Sequence, residues 1–93
     1  MHIVTVILEA NKGKEQSLKE ALDVIAEKSR MEDSCLDYSV HQDSSNPAKF
    51  ALREKWESLE LHEEQFEKPY IKEFFERKEE LLSDDYQVVM SSS

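Results

Sequence analysis

The stretch Asp43–Phe74, DSSNPAKFALREKWESLELHEEQFEKPYIKEF, decides the fold. It opens on Asp43-Ser44-Ser45-Asn46-Pro47, a dense turn signal. Residues 48–56 then alternate, with Phe50, Leu52, Glu54 and Trp56 on one face, and read as a strand ending in the chain's single tryptophan. Ser58 suits the N-cap of a short helix over 59–66. Pro69 suits the first turn of a second helix, because its missing N–H would be unpaired there anyway. Residues 70–82 carry Tyr70, Ile71, Phe74, Phe75, Leu81 and Leu82 at helical spacing. A strand that runs straight into two helices makes a junction where an apolar pocket with a few polar groups can form.

Working outward, residues 35–42 read as another strand, with Leu36, Tyr38 and Val40 on one face and Cys35, Asp37, Ser39 and His41 on the other. The short polar link makes these two strands an antiparallel hairpin. Residues 14–30 are the clearest helix: Leu18, Ala21, Leu22, Ile25 and Ala26 form one apolar stripe. Residues 2–10 are a strand rich in Ile, Val and Thr, and Asn11 to Gly13 form the turn after it. Downstream, Ser83 to Asp85 break the helix. Tyr86, Val88 and Met90 alternate with Gln87 and Val89 in a final strand, and 91–93 read as a frayed tail. The order is β-α-β-β-α-β with the second helix interrupted. This predicts an α+β, ferredoxin-like single domain over 1–93, one antiparallel sheet with both helices on one face. The first strand is apolar in both parities, Ile3 and Ile7 against Val4, Val6 and Leu8. A second copy laid against the open sheet face would bury both, so a homodimer with two-fold symmetry is expected.

Composition narrows the function. The net charge is −9, from 21 acidic and 12 basic residues. That repels phosphate backbones and anionic membrane surfaces, so neither nucleic acid nor membrane is an expected partner. One cysteine, Cys35, permits no internal disulfide and fits the cytoplasm. The N-terminal stretch has no basic region and no cleavage-like site, which argues against a signal peptide. No segment reaches the roughly 18 apolar residues that span a bilayer. His2, His41 and His62 lack metal-ligand spacing, so no metal is expected. A single glycine argues against a glycine-rich nucleotide or flavin loop, and no cofactor is expected.

Cys35-Leu36 with Tyr38, Asp43, Asn46-Pro47, Phe50, Glu54-x-Trp56, Ser58, and Pro69 with Phe74 occur in this order and spacing along nearly the whole chain. In this the sequence resembles the antibiotic biosynthesis monooxygenase (ABM) family, which folds as a dimeric α+β barrel. The resemblance implies a pocket between sheet and helices in each subunit. It also implies, for some members, cofactor-free oxygenation of quinols or polycyclic phenols. Many relatives carry His where this chain has Gln65 and Tyr70, and Ser34 stands where a glycine commonly precedes the Cys-Leu pair. Of the Asn, Trp and His set of the haem-degrading branch, Trp56 alone remains.

His62, on the inward face between Leu59 and Phe66, has the right residue type to take a proton from a phenol near neutral pH; a hydrogen-bonded helix histidine is the plainer reading. Trp56 offers a flat surface for stacking an aromatic substrate, or simply fills the core. Gln65 and Tyr70 border the same space and can orient a substrate oxygen. Tyr38 reads as core with its hydroxyl at the rim, and Phe66 and Phe74 as apolar pocket walls. Glu54 shares the buried parity of Leu52 and Trp56; it is either a base with a raised pKa or a structural hydrogen-bonder. The expected activity is oxygenation of a small reduced aromatic such as a quinol, with His62 and Tyr70 catalytic. A non-catalytic binding module and an isomerase of a small signalling metabolite are the alternatives.

Overall fold

β1 (His2–Glu9) lies inside a four-stranded antiparallel sheet, in a computed structural model that describes residues 1–83 and 86–92. The strand order is β2 (Cys35–Gln42), β3 (Lys49–Trp56), β1, β4 (Gln87–Ser92). β1 pairs with β3 from His2 opposite Trp56 to Glu9 opposite Lys49. Period-two alternation then sends His2, Val4, Leu8, Phe50, Leu52, Glu54 and Trp56 to one buried face.

Helices cover that face. α1 (Glu15–Arg30) buries Leu18, Leu22, Ile25 and Ala26, the stripe predicted from spacing. Burying each of its larger side chains contributes about 1.5–3 kcal/mol. The Arg30 Nε donates to the Tyr38 carbonyl at 2.9 Å and ties the end of α1 to β2. The chain then forms α2 (Leu59–Glu64), a 3₁₀ turn over Gln65–Glu67, α3 (Pro69–Glu76) and α4 (Lys78–Leu81). Ser58 is the α2 N-cap, its Oγ accepting from the Leu61 N–H at 3.2 Å, and Pro69 opens α3. The architecture is thus the expected ferredoxin-like α+β fold. No helix among the described residues is long and apolar enough to cross a membrane.

Three expectations need correction. A β-bulge between Cys35 and Asp37 inserts one residue and switches the parity of β2. Cys35 therefore joins Tyr38 and Val40 against the core, while Leu36 is left 53% exposed. The helix expected over 70–82 turns at Arg77, so that Leu81 and Leu82 both reach the core and Leu82 bridges Ala10. The Asn11 amide then donates to the carbonyls of Glu79 and Glu80 at 3.0 and 2.8 Å, satisfying acceptors at the end of α4. Ser91 and Ser92 are not a frayed tail: they extend β4 opposite Ile3 and His2. Ser93, and the expected break at Asp84 and Asp85, lie outside the described residues. In the single chain Ile3, Thr5 and Ile7 on the open sheet face are half-buried.

Candidate functional site

Between the sheet and the helices lies a cavity of about 190 Å³. Its floor comes from β1 and β3 through Val4, Val6, Leu8 and Leu52, and its back from Leu22, Ile25 and Ile71. Phe66, Phe74 and Phe75 line one side; Tyr86, Val88 and Met90 line the β4 side. Four further lining residues carry polar groups: Tyr38, Glu54, His62 and Gln65. A dry apolar cavity of about 150 Å³ holds benzene, so this volume suits one substituted ring. A larger cleft of about 370 Å³ lies beyond Gln65, but it is lined by Glu32, Glu64, Glu67 and Lys68 and is suited to water.

Glu54 is the centre of the polar end. It is 5% exposed, because strand parity places it between Leu52 and Trp56 on the inner face. The Trp56 indole N–H donates to its Oε1 at 2.9 Å, and the Tyr38 hydroxyl also hydrogen-bonds to the carboxylate. Those donors favour the charged form, yet burial outweighs them and raises Glu54 to about 7. Burial and the Glu54 charge together push the Tyr38 hydroxyl well above its ordinary range.

His62 is the only buried residue of α2, with its Nε2 3.6 Å from Glu54 Oε1. Trp56 and Phe66 pack on its ring with centroids 5.4 Å away in each case, and His2 lies at 5.2 Å. Burial, helped by His2, lowers His62 to about 4. At neutral pH it is therefore an uncharged imidazole beside a carboxyl group near its midpoint. This pair can accept, hold and return a proton at the end of an apolar pocket.

The candidates from sequence divide. His62, Gln65, Tyr38, Phe66 and Phe74 do line the cavity. Phe66 remains 42% exposed at its edge because α2 ends at Glu64 and tightens into the 3₁₀ turn; Leu59, also expected inward, is equally exposed. Trp56 does not line the cavity. It is 1% exposed and its N–H is committed to Glu54, so it backs the polar groups instead of offering a stacking face. Tyr70 does not line it either: its hydroxyl accepts from the Gln65 amide at 3.2 Å and is one residue removed from the cavity. The same amide donates to the buried Ser29 hydroxyl at 2.6 Å, which fixes Gln65 against α1. The sequence leaves Glu54 open between a structural and a basic role, and no motif singles out His2. Both share a parity with core positions of their strands, which is the signal that locates them.

The model of the family described as antibiotic biosynthesis monooxygenase matches residues 1–77. No curated protein sequence matches the chain. Among solved structures, the PA3566 protein of Pseudomonas aeruginosa superposes with a TM-score of 0.93 at 23% identity, over 99% of this chain and 92% of that one. A protein of Deinococcus radiodurans described as a "putative antibiotic biosynthesis monooxygenase" gives 0.90 at 26% identity, over 100% and 92%. One of Nitrosomonas europaea with the same description gives 0.94 at 17%, over 100% and 98%. With more than half its length matched by that family model and the same fold throughout, the chain belongs to the antibiotic biosynthesis monooxygenase family.

Proposed function

We propose that the chain is a cofactor-independent monooxygenase acting on a small reduced aromatic such as a quinol. Family membership supports the general reaction class. The observation that carries the reading is the buried Glu54–His62 pair at the polar end of a one-ring apolar cavity. Deprotonation makes a quinol a far better electron donor to oxygen. A quinol and O₂ then give a hydroxyquinone and water: one oxygen atom enters the ring, the other leaves as water, and the substrate supplies all four electrons. Glu54 or His62 takes the phenolic proton, Gln65 holds a substrate oxygen, and the aromatic side chains exclude water. Two protomers joined through their open sheet faces, in the cytoplasm, complete the reading.

Oxygen uptake with a panel of quinols and anthrones tests it. Uptake with at least one, and a loss of about 100-fold or more in kcat for Glu54→Gln or His62→Ala, is expected. Ligand-induced thermal stabilisation without product would leave a binding module. Product formed equally well under nitrogen would leave an isomerase.

A further inference from the structure

His2 and His62 each hold a buried ring nitrogen, Nε2 and Nδ1 respectively, without a hydrogen-bond partner. A buried polar atom in that condition is costly and uncommon enough to need a reason. Here two lie on adjacent rings, 5.2 Å between centroids at an interplanar angle of 38°. The cavity does not account for His2, which is absent from its lining. An apolar side chain of equal size would fill the same place without the desolvation cost.

Its location supplies the reason. Glu54 lines the cavity, and its Oε1 approaches the Nε2 of His62. The second His62 nitrogen, Nδ1, is the unpaired one, and the next ring is His2. His2 sits opposite Trp56 and Ser92 at the end of β1, where Ser92 and Met1 are exposed. We propose that His2 is a proton-transfer residue, linking the Glu54–His62 pair to solvent at the end of β1.

Imidazole suits this because one ring nitrogen gains a proton as the other releases one. A proton passes from the Glu54 carboxyl to His62 Nε2 while the Nδ1 proton leaves toward His2 Nε2, directly or through one water. One proton enters His62 as one departs, so no net charge builds on a ring whose burial disfavours it. No electrons move. Other ionisable groups close to this line are Tyr38 and Cys35 from β2, both raised by burial; Glu60, Glu63 and Glu64 of α2 are exposed. The proposed monooxygenase reaction, on which this inference rests, makes the Glu54–His62 pair take a proton from the substrate and give one back to the water formed, and a route to solvent resets the pair between those steps.

The test needs no substrate. In protein labelled with ¹⁵N in its histidines, NMR measures exchange of the His62 ring proton with water at neutral pH. We expect exchange to slow by about tenfold or more in His2→Gln and in His2→Phe. The first keeps a polar group and the second a ring, so a folding defect in one leaves the other. Added imidazole should restore exchange in His2→Gly, which a purely structural role for His2 would not produce. Wild-type exchange rates in a folded variant, or no rescue, would overturn the relay. Absence of oxygen uptake would remove the monooxygenase reading without altering what these exchange rates say of His2.

Discussion

Glu54 and His62 pull the folding equilibrium in opposite directions across one pH range. Glu54 rises from its ordinary 4.5 to about 7, so the folded chain binds that proton more tightly than the unfolded chain. Its stabilising contribution is fully present below pH 4.5 and is lost as pH climbs to about 7. His62 falls from 6.5 to about 4, so its contribution is present above pH 6.5 and lost as pH falls to about 4. Both side chains are shielded from solvent, at 5% and 4% exposure, so screening weakens neither shift much. Each displacement corresponds to about 3 kcal/mol, and the two nearly cancel between them. Single variants should unmask them. Relative to the parent, Glu54→Gln should gain about 3 kcal/mol between pH 4.5 and pH 7, and His62→Gln should lose ground over nearly the same interval. Urea midpoints against pH measure both; a flat difference for either would show that the group is not buried in the folded state. Strand parity made Glu54 legible as a buried carboxylate. The commitment of the Trp56 N–H to Glu54 was not legible, because it depends on how two side chains on one strand turn toward each other.

At the scale of elements, α2 carries His62 on only six residues. A helix that short has little stability of its own and depends on its cap and its packing. Ser58→Ala removes the acceptor for the part-buried Leu61 N–H and should cost about 1 kcal/mol, read from the shift in denaturation midpoint. Ser58→Asp should recover most of that loss; failure to do so would mean that Ser58 acts through packing. The elements themselves were plain in the sequence, since period 3.6 in α1, period 2 in β3 and the Ile, Val and Thr content of β1 leave little freedom. The bulge at Cys35–Asp37 and the turn at Arg77 were not. Both keep the local hydrophobic pattern nearly intact and change only its phase. Long-range demands decide them: Cys35 must lie opposite Trp56, and Leu82 must reach Ala10.

At the scale of the molecule, the open sheet face is the surface through which the proposed homodimer would form. Ile3, Thr5 and Ile7 run along its centre, with Ala51 opposite Ile7 on β3 and Val89 opposite Thr5 on β4, the last 62% exposed. Lys49, Arg53 and Lys55 share the β3 side, and Asp37, Ser39 and His41 the β2 side. The face thus carries an apolar row on β1 beside basic side chains on the neighbouring interior strand β3, and it is the face proposed to meet a second copy. Two-fold pairing would bring each apolar strip against its copy and let basic β3 side chains meet acidic groups of the other protomer. Light scattering at micromolar concentration should therefore return twice the chain mass of 10.9 kDa. Ile7→Glu places a charge at the middle of the strip and should yield monomers with a lower unfolding midpoint, while Glu60→Lys, exposed on α2, should leave the dimer intact. A monomeric parent would contradict the homodimer; a dimeric Ile7→Glu would place the contact elsewhere, and the edge of β4 would then be the surface to probe.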